Sequence, residues 1–258
     1  MVIPFYGRNF ADKKTPLLYT FLMIEVLNIT EKNPLEHIGM VAGICWNSPV
    51  DNPEKNRKRA VSCINSGHGR VMEYAGAELV ISGYSARCIR ELYTHIIGTT
   101  RLQESTRYVN MEDFKYYVPA TVESEEQKAA YKECMSSIAG SYSSLIESGV
   151  SKEDAANLLP LGMDTKIVLK INLRALIHFM EMRLCTRAYK EIRALSAELK
   201  KVLSEYSEEW KFIADNYFLP KCEAAGFCIE EKCCGRKPKK SDMVIISKEE
   251  YEALKSGK

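Results

Sequence analysis

Residues 165–172, Thr-Lys-Ile-Val-Leu-Lys-Ile-Asn, read as a continuous apolar-rich strand. At Asn172 the chain passes directly into a segment with helical periodicity over most of its length to Tyr217. A strand that runs straight into a helix must bury both against one core, which limits the chain to folds that mix sheet and helix. An earlier junction repeats the pattern. Residues 77–85, AELVISGYS, alternate loosely and include β-branched residues, and residues 85–97, SARCIRELYTHII, suit a helix capped by Ser85.

Other local signals fill in the frame. Residues 52–65 predict a surface helix with Pro53 near its start, stopped by Ser66-Gly67. TRLQESTRYVN and FKYYVPA predict two strands or extended loops. Ser124 and Gln127 form a capping-box pattern that opens a long helix to about Ser148, Gly149 breaks it, and Ser151 with Asp154 opens a short helix ending before Leu159-Pro160. In residues 1–50 the apolar segments LLYTFLMIEVL and HIGMVAGICW admit either strand or helix. From about Leu219 the chain changes character, so residues 1–218 are expected to form one domain and 219–258 an appendage containing Cys and Lys.

Composition narrows the function classes. With 258 residues, 46% of them hydrophobic, the chain can bury a sizeable core, and one domain with tails is the expectation. The formal net charge of +2 gives no long-range field of the kind that draws in nucleic acid or a membrane surface, so an anionic ligand must be met by local Arg and Lys. The N-terminal MVIPFYGRNFADKK lacks the pattern of a signal peptide, and the apolar runs fall well short of the roughly 20 residues a membrane span needs, so a cytoplasmic protein without membrane contact is expected. Nine cysteines in such a chain read as reduced thiols or metal ligands. No G-x-G-x-x-G follows a strand, so no Rossmann site is expected.

Two stretches carry chemistry. Residues 90–108 crowd cations, hydroxyls and amides into a predicted helix end and loop: guanidinium groups can grip a phosphate with two prongs, while Gln and Ser can address a pyrimidine edge. Such a loop can equally do no more than cap and solvate a helix-to-strand connection. Residues 172–187 place Arg174 and His178 four apart, and Arg183 and Arg187 likewise, expected to share helical faces, while Leu176, Phe179 and Met180 pack inward. An amphipathic helix with a basic face is the plain reading, but His178 and Arg183 interrupt an apolar run, where a charge needs an anionic partner or water.

These stretches resemble the flavin-dependent thymidylate synthases. That family carries R-H-R, a short spacer and N-E-x-S-x-R-Y; here stand Thr94-His95-Ile96, then Leu102-Gln103-Glu104-Ser105-Thr106-Arg107-Tyr108, with about one extra residue in the spacer. Leu159-Pro160-Leu161, the strand to Asn172, Arg174, His178, Arg183 and Glu191-Ile192-Arg193 follow the second block, and Gly67-His68 with Glu73-Tyr74 resemble the approach to the first. The resemblance covers roughly residues 35 to 215. It implies an α+β fold with one central mixed or antiparallel sheet flanked by long helices, assembled as a homo-oligomer, in the family a tetramer with sites shared between subunits.

The resemblance also implies the activity: dTMP made from dUMP, with methylenetetrahydrofolate as carbon donor and a hydride carried by FAD from NADPH. Catalytic roles would fall to Arg183, against the uracil, and Ser105, as a ring contact. The dUMP would be met by Glu91, Tyr93, Thr94, Gln103, Glu104, Ser105, Thr106, Arg107 and Arg183. FAD would be met by Arg70, Thr94, His95, Ile96, Gln103, Asn172, Arg174 and His178. Three departures stand out: Thr94 and Ile96 replace arginines, Gln103 replaces an acid, and Ala155-Ala156-Asn157 lacks an arginine expected before Leu-Pro. Arg70, Arg90 or Arg101 could restore the missing charge. No cysteine is expected to be catalytic and no metal is expected, although Cys222, Cys228, Cys233 and Cys234 form a weak zinc candidate whose spacing lacks C-x-x-C pairs. Two rival readings are a related flavin enzyme delivering a hydroxymethyl group, and a non-catalytic nucleic-acid binder using Arg70, Arg90, Arg101, Arg107 and the lysines at 237–240.

Overall fold

The computed structural model describes residues 23–244 and 246–255. In chain order the elements are β1 (Met23–Val26), α1 (Pro34–Cys45), α2 (Pro53–Asn65), a 3-10 turn at Gly69–Tyr74, β2 (Gly76–Ser85), α3 (Ala86–Leu92), β3 (Thr99–Gln103), α4 (Glu125–Glu147) and α5 (Lys152–Ala155). There follow β4 (Asp164–Asn172), α6 (Leu173–Arg183), α7 (Lys190–Tyr206), α8 (Glu208–Tyr217), α9 (Lys221–Ala225) and α10 (Lys248–Lys255). The reading of the N-terminal fourteen residues as no signal peptide, and most of the LLYTFLMIEVL segment, lie outside the described residues; what is described of that segment begins with β1. HIGMVAGICW, left open between strand and helix, lies largely in α1. No helix among the described residues is long and apolar enough to cross a membrane.

The strands form one sheet in the order β1-β2-β4-β3, antiparallel at every pairing. Period-2 alternation sends Ala77, Leu79, Ile81, Ile167, Leu169 and Ile171 into the core, where Leu173, Leu176, Phe179, Ile192, Leu195, Leu199 and Trp210 from α6, α7 and α8 meet them. Burying each such side chain contributes about 1.5–3 kcal/mol. On the opposite face Lys170 pairs with Glu78 at 2.7 Å, while Leu102 and Val168 face each other in register and stay 72% and 40% exposed. Gly83, at φ 74°, sits in the bulge that shifts the β2–β4 register between Ile81 and Tyr84.

The expected caps are present. The Ser85 hydroxyl accepts from the Cys88 amide, Ser124 and Gln127 close a reciprocal box, and Ser151 caps α5; Asn172, not anticipated as a cap, also caps α6 by accepting from Ala175 at 2.9 Å.

Two helix boundaries depart from expectation. The helix expected over 85–97 ends at Leu92. The Arg101 guanidinium takes the Tyr93 carbonyl at 3.2 Å and the His95 carbonyl at 2.9 Å, and Gly98 turns the chain at φ 74°. These carbonyls would otherwise feed further helical turns. The helical stretch after Asn172 is three helices, interrupted at 184–189 and at Ser207, whose extended backbone (φ −160°) and hydroxyl cap α8 at Trp210. Arg187 therefore lies outside α6 and shares no helical face with Arg183; it reaches Glu230 at 3.6 Å instead. Of TRLQESTRYVN only the first part is strand, and FKYYVPA is extended with a single bridge, Tyr116 to Met163.

In the tail, Cys228 is buried and pairs with the 238–240 backbone: its amide donates to the Pro238 carbonyl at 2.7 Å and its carbonyl accepts from Lys240 at 2.8 Å. Among the described residues no three His, Cys, Asp or Glu side chains are grouped to hold a metal, so the zinc candidate at Cys222, Cys228, Cys233 and Cys234 is not assembled. The Cys233 thiol donates to the Lys237 carbonyl at 3.3 Å and accepts from the Gly235 amide at 3.3 Å, and it also bonds the Cys228 side chain.

Candidate active site

Two strand-to-helix junctions create the site. The loop at 93–98, between α3 and β3, is pressed against α6, because Asn172 donates its amide to the Gly98 carbonyl at 2.9 Å while its side chain caps α6. A Cβ on Gly98 would lie 2.5 Å from the Asn172 amide nitrogen, so the approach needs glycine both for space and for its positive φ.

Arg183, the last residue of α6, reaches back to that loop. Its Nε donates to His95 Nε2 at 3.0 Å, its Nη2 donates to the Thr94 hydroxyl at 3.0 Å and to the Glu91 carbonyl at 3.4 Å, and its Nη1 lies 3.4 Å from the Glu91 carboxylate. The Arg183 side chain is 19% exposed. The His95 ring meets the edge of Phe179 at 5.0 Å and His178 at 5.9 Å between centroids. Burial foremost, then the positive charge of Arg183, with His178 and Arg101 adding, pulls the His95 imidazole down to about 4. Near neutral pH the ring is uncharged and accepts through Nε2, so its proton sits on Nδ1.

The other expected residues are distributed around this centre. Gln103 donates to the Thr165 hydroxyl at 3.1 Å, and Glu104 lies 3.9 Å from Lys166. Ser105 and Thr106 are half-buried in the following turn, where the Ser105 hydroxyl accepts from the Arg107 amide at 3.3 Å. Arg107 is drawn to Glu153 at 3.0 Å rather than to Arg183. Arg174 donates to Glu73 at 2.6 Å, and the absence of a side chain at Gly69 leaves room for it, since a Cβ there would lie 3.1 Å from Arg174 Nε. Exposed His178 stands 3.8 Å from Glu181, and Arg70 is exposed. Tyr93 lies under Arg101, whose guanidinium carbon is 4.4 Å from the ring centroid. Ile96, at 69% exposure, points its apolar side chain to solvent where the resemblance expects an arginine.

Of the cations suggested to replace the missing arginines, Arg101 is excluded, because its nitrogens hold the carbonyls of Tyr93 and His95 and the Thr99 hydroxyl at 2.7 Å. Arg70 and Arg90 are exposed and open to a ligand. Phe179, read in sequence only as core, forms a wall of the site, and Glu73 and Glu153 emerge as arginine partners; nothing in their spacing signalled those partnerships.

A buried polar clamp sets the angle of α3. The Glu191 carboxylate, 1% exposed, accepts from the Ser85 amide at 2.7 Å and the Ser85 hydroxyl at 2.6 Å, and from the Tyr189 hydroxyl at 3.3 Å. Burial and then the nearby Glu191 charge push the Cys88 thiol well above its usual range, so this thiol inside the site's helix is inert.

Comparison with known proteins places the chain in a family. Over 182 residues the chain is 32% identical to the flavin-dependent thymidylate synthase of Geobacter sulfurreducens, covering 66% of this chain and 78% of that protein. It is 31% identical over 221 residues to that of Nitratidesulfovibrio vulgaris, covering 80% and 88%, and 33% identical over 221 residues to that of Thermococcus kodakarensis, covering 81% and 89%. Residues 25–207, which take in the end of β1, all of β2 to β4 and both junctions, match the family described as thymidylate synthase complementing protein, and the chain belongs to that family.

Proposed function

We propose that this protein is a flavin-dependent thymidylate synthase that makes dTMP from dUMP, with methylenetetrahydrofolate as carbon donor and NADPH as the source of the hydride. The observation that carries the reading is the Arg183 guanidinium held by Glu91, Thr94 and His95 in a chain of this family. Uracil C5 must become nucleophilic, and a fixed cation against the ring stabilises the negative charge that develops there. That role falls to Arg183. Arg107 neutralises the phosphate, and Ser105 contacts the ring, with Glu91, Tyr93, Thr94, Gln103, Glu104 and Thr106 lining the nucleotide.

The donor set suits FAD. Arg70 and Arg174 offer guanidinium groups to a pyrophosphate, His178 lies on the same side of α6 as Arg174, and Gly69 leaves the Arg174 side chain space to turn. Asn172, Gln103, Thr94, His95 and the Ile96 segment complete the flavin wall. When bound, FAD supplies the hydride that turns the transferred methylene into a methyl group. The paired, outward-facing Leu102 and Val168 support assembly of copies across the sheet; a tetramer, a cytoplasmic setting and residues 219–258 as an appendage belong to the same proposal. Purified protein given FAD should acquire flavin absorbance, and expression of the chain should restore growth of a thymidine-requiring strain without thymidine. Protein that takes up no flavin would overturn the reading.

A further inference from the structure

The three nitrogens of Arg183 are all engaged by one short piece of chain, residues 91–95, and the contacts differ in kind. Glu91 offers charge at 3.4 Å, Thr94 a hydroxyl at 3.0 Å, and His95 a ring nitrogen at 3.0 Å. A carboxylate or hydroxyl can follow a swinging guanidinium, but a ring nitrogen is a directional acceptor. The His95 ring is itself fixed, with Phe179 edge-on at 5.0 Å, His178 at 5.9 Å, and its own carbonyl held by Arg101 at 2.9 Å. An acceptor at Nε leaves only the Nη edge of Arg183 to face a ligand.

We propose that His95 is a positioning residue: its unprotonated Nε2 locks the Nε edge of Arg183 and so aims the Nη1 N–H that Glu91 leaves unused at the substrate ring. This rests on the proposed function for its consequence but not for its geometry. An imidazolium could not serve, because both its nitrogens would be donors facing a guanidinium. The charged and titratable groups facing the ring are Arg183 and His178 from α6, Arg101 from β3 and, through Arg183, Glu91 from α3. The three nearest are cationic or can become so, and the acid is already engaged by Arg183. Protonating His95 would therefore release the arginine.

The test uses the full chain labelled with 15N-histidine; only four histidines are present, so His95 is identified by its loss in His95→Gln. The expected result is a ring protonated at Nδ1 and not Nε2, neutral throughout the near-neutral range, whose titration midpoint rises in Arg183→Gln. An Nε2–H tautomer, or a midpoint that Arg183→Gln leaves unmoved, overturns the proposal whatever the activity. With FAD and dUMP bound, His95→Phe should lower kcat/KM for dUMP by about 10- to 100-fold through kcat, the scale of one charge-assisted hydrogen bond, with the KM for the carbon donor unchanged. His95→Gln, which keeps an acceptor near Nε2, should recover activity to within about threefold of wild type. If Gln is as impaired as Phe, the proposal fails. Wild-type protein that binds neither FAD nor dUMP would instead overturn the proposed function, and the ring titration would still decide the positioning claim.

Discussion

Gly98 and Asn172 hold the loop of the site against the start of α6: the Asn172 amide donates to the Gly98 carbonyl at 2.9 Å, in a space where a Cβ would come within 2.5 Å of the Asn172 side-chain nitrogen. Gly98→Ala has to accept a left-handed φ of 74° and displace the α6 cap. The expected destabilisation is about 1–3 kcal/mol. Urea denaturation measures it, and flavin uptake should fall with it; a variant of wild-type stability would show that the loop can re-route.

His95 links stability to pH. Its ring, pulled down to about 4 in the folded protein, titrates near 6.5 when unfolded. Between those values the unfolded chain binds a proton that the native chain does not, so stability rises with pH from about 4 to 6.5 and this dependence is absent above that window. The full effect is on the order of 3 kcal/mol. Denaturation midpoints of wild type and His95→Gln, followed from pH 7 to 4.5, should diverge, with wild type losing more stability on acidification. Parallel curves would remove the linkage.

Glu153 competes with the proposed phosphate for Arg107. Its guanidinium lies 3.0 Å from Glu153, both side chains being more than half exposed, and an exposed pair of this kind contributes only about 0–1 kcal/mol. Glu153→Gln frees the guanidinium for phosphate. Affinity for dUMP, measured by calorimetry at low salt, should improve about two- to fivefold. Unchanged affinity in Glu153→Gln together with unchanged affinity in Arg107→Ala would remove Arg107 from the phosphate site.

The Ser85–Glu191 clamp should behave as a unit. Among the described residues Glu191 is held by the Ser85 amide and hydroxyl and by the Tyr189 hydroxyl, none of them a cation. Ser85→Ala removes both a helix cap and one donor to a buried carboxylate, a loss of about 2–4 kcal/mol. Glu191→Gln keeps the shape and turns one acceptor oxygen into a donor, and the double variant should cost less than the sum of the singles. A double-mutant cycle of thermal or urea stability checks this, and strict additivity would mean the two act separately.

Most elements were legible because their signals are short-range. The Ser85, Ser124 and Ser151 caps act within four residues, and the loose alternation of 77–85 and the apolar run of 165–172 mark the two strands. The end of α3 was not legible. Nothing near Leu92 signals a stop; the carbonyls that could have extended the helix are captured by Arg101 from the neighbouring strand. For the same reason Arg101 looked in sequence like a spare cation, and in the structure it is fully engaged.

The chain's pattern alone determined that strands run into helices at Ser85 and Asn172, and it raised the stretches 90–108 and 172–187 as candidates for the chemistry. Tertiary structure decided which of those polar groups meet. Arg183 and His95 are 88 positions apart, and Ser85 and Glu191 106 apart. Backbone propensity and capping fall off within a helical turn, so only the packing of α6 and α7 onto the sheet could bring such pairs together. The same packing turned the histidine into a neutral acceptor.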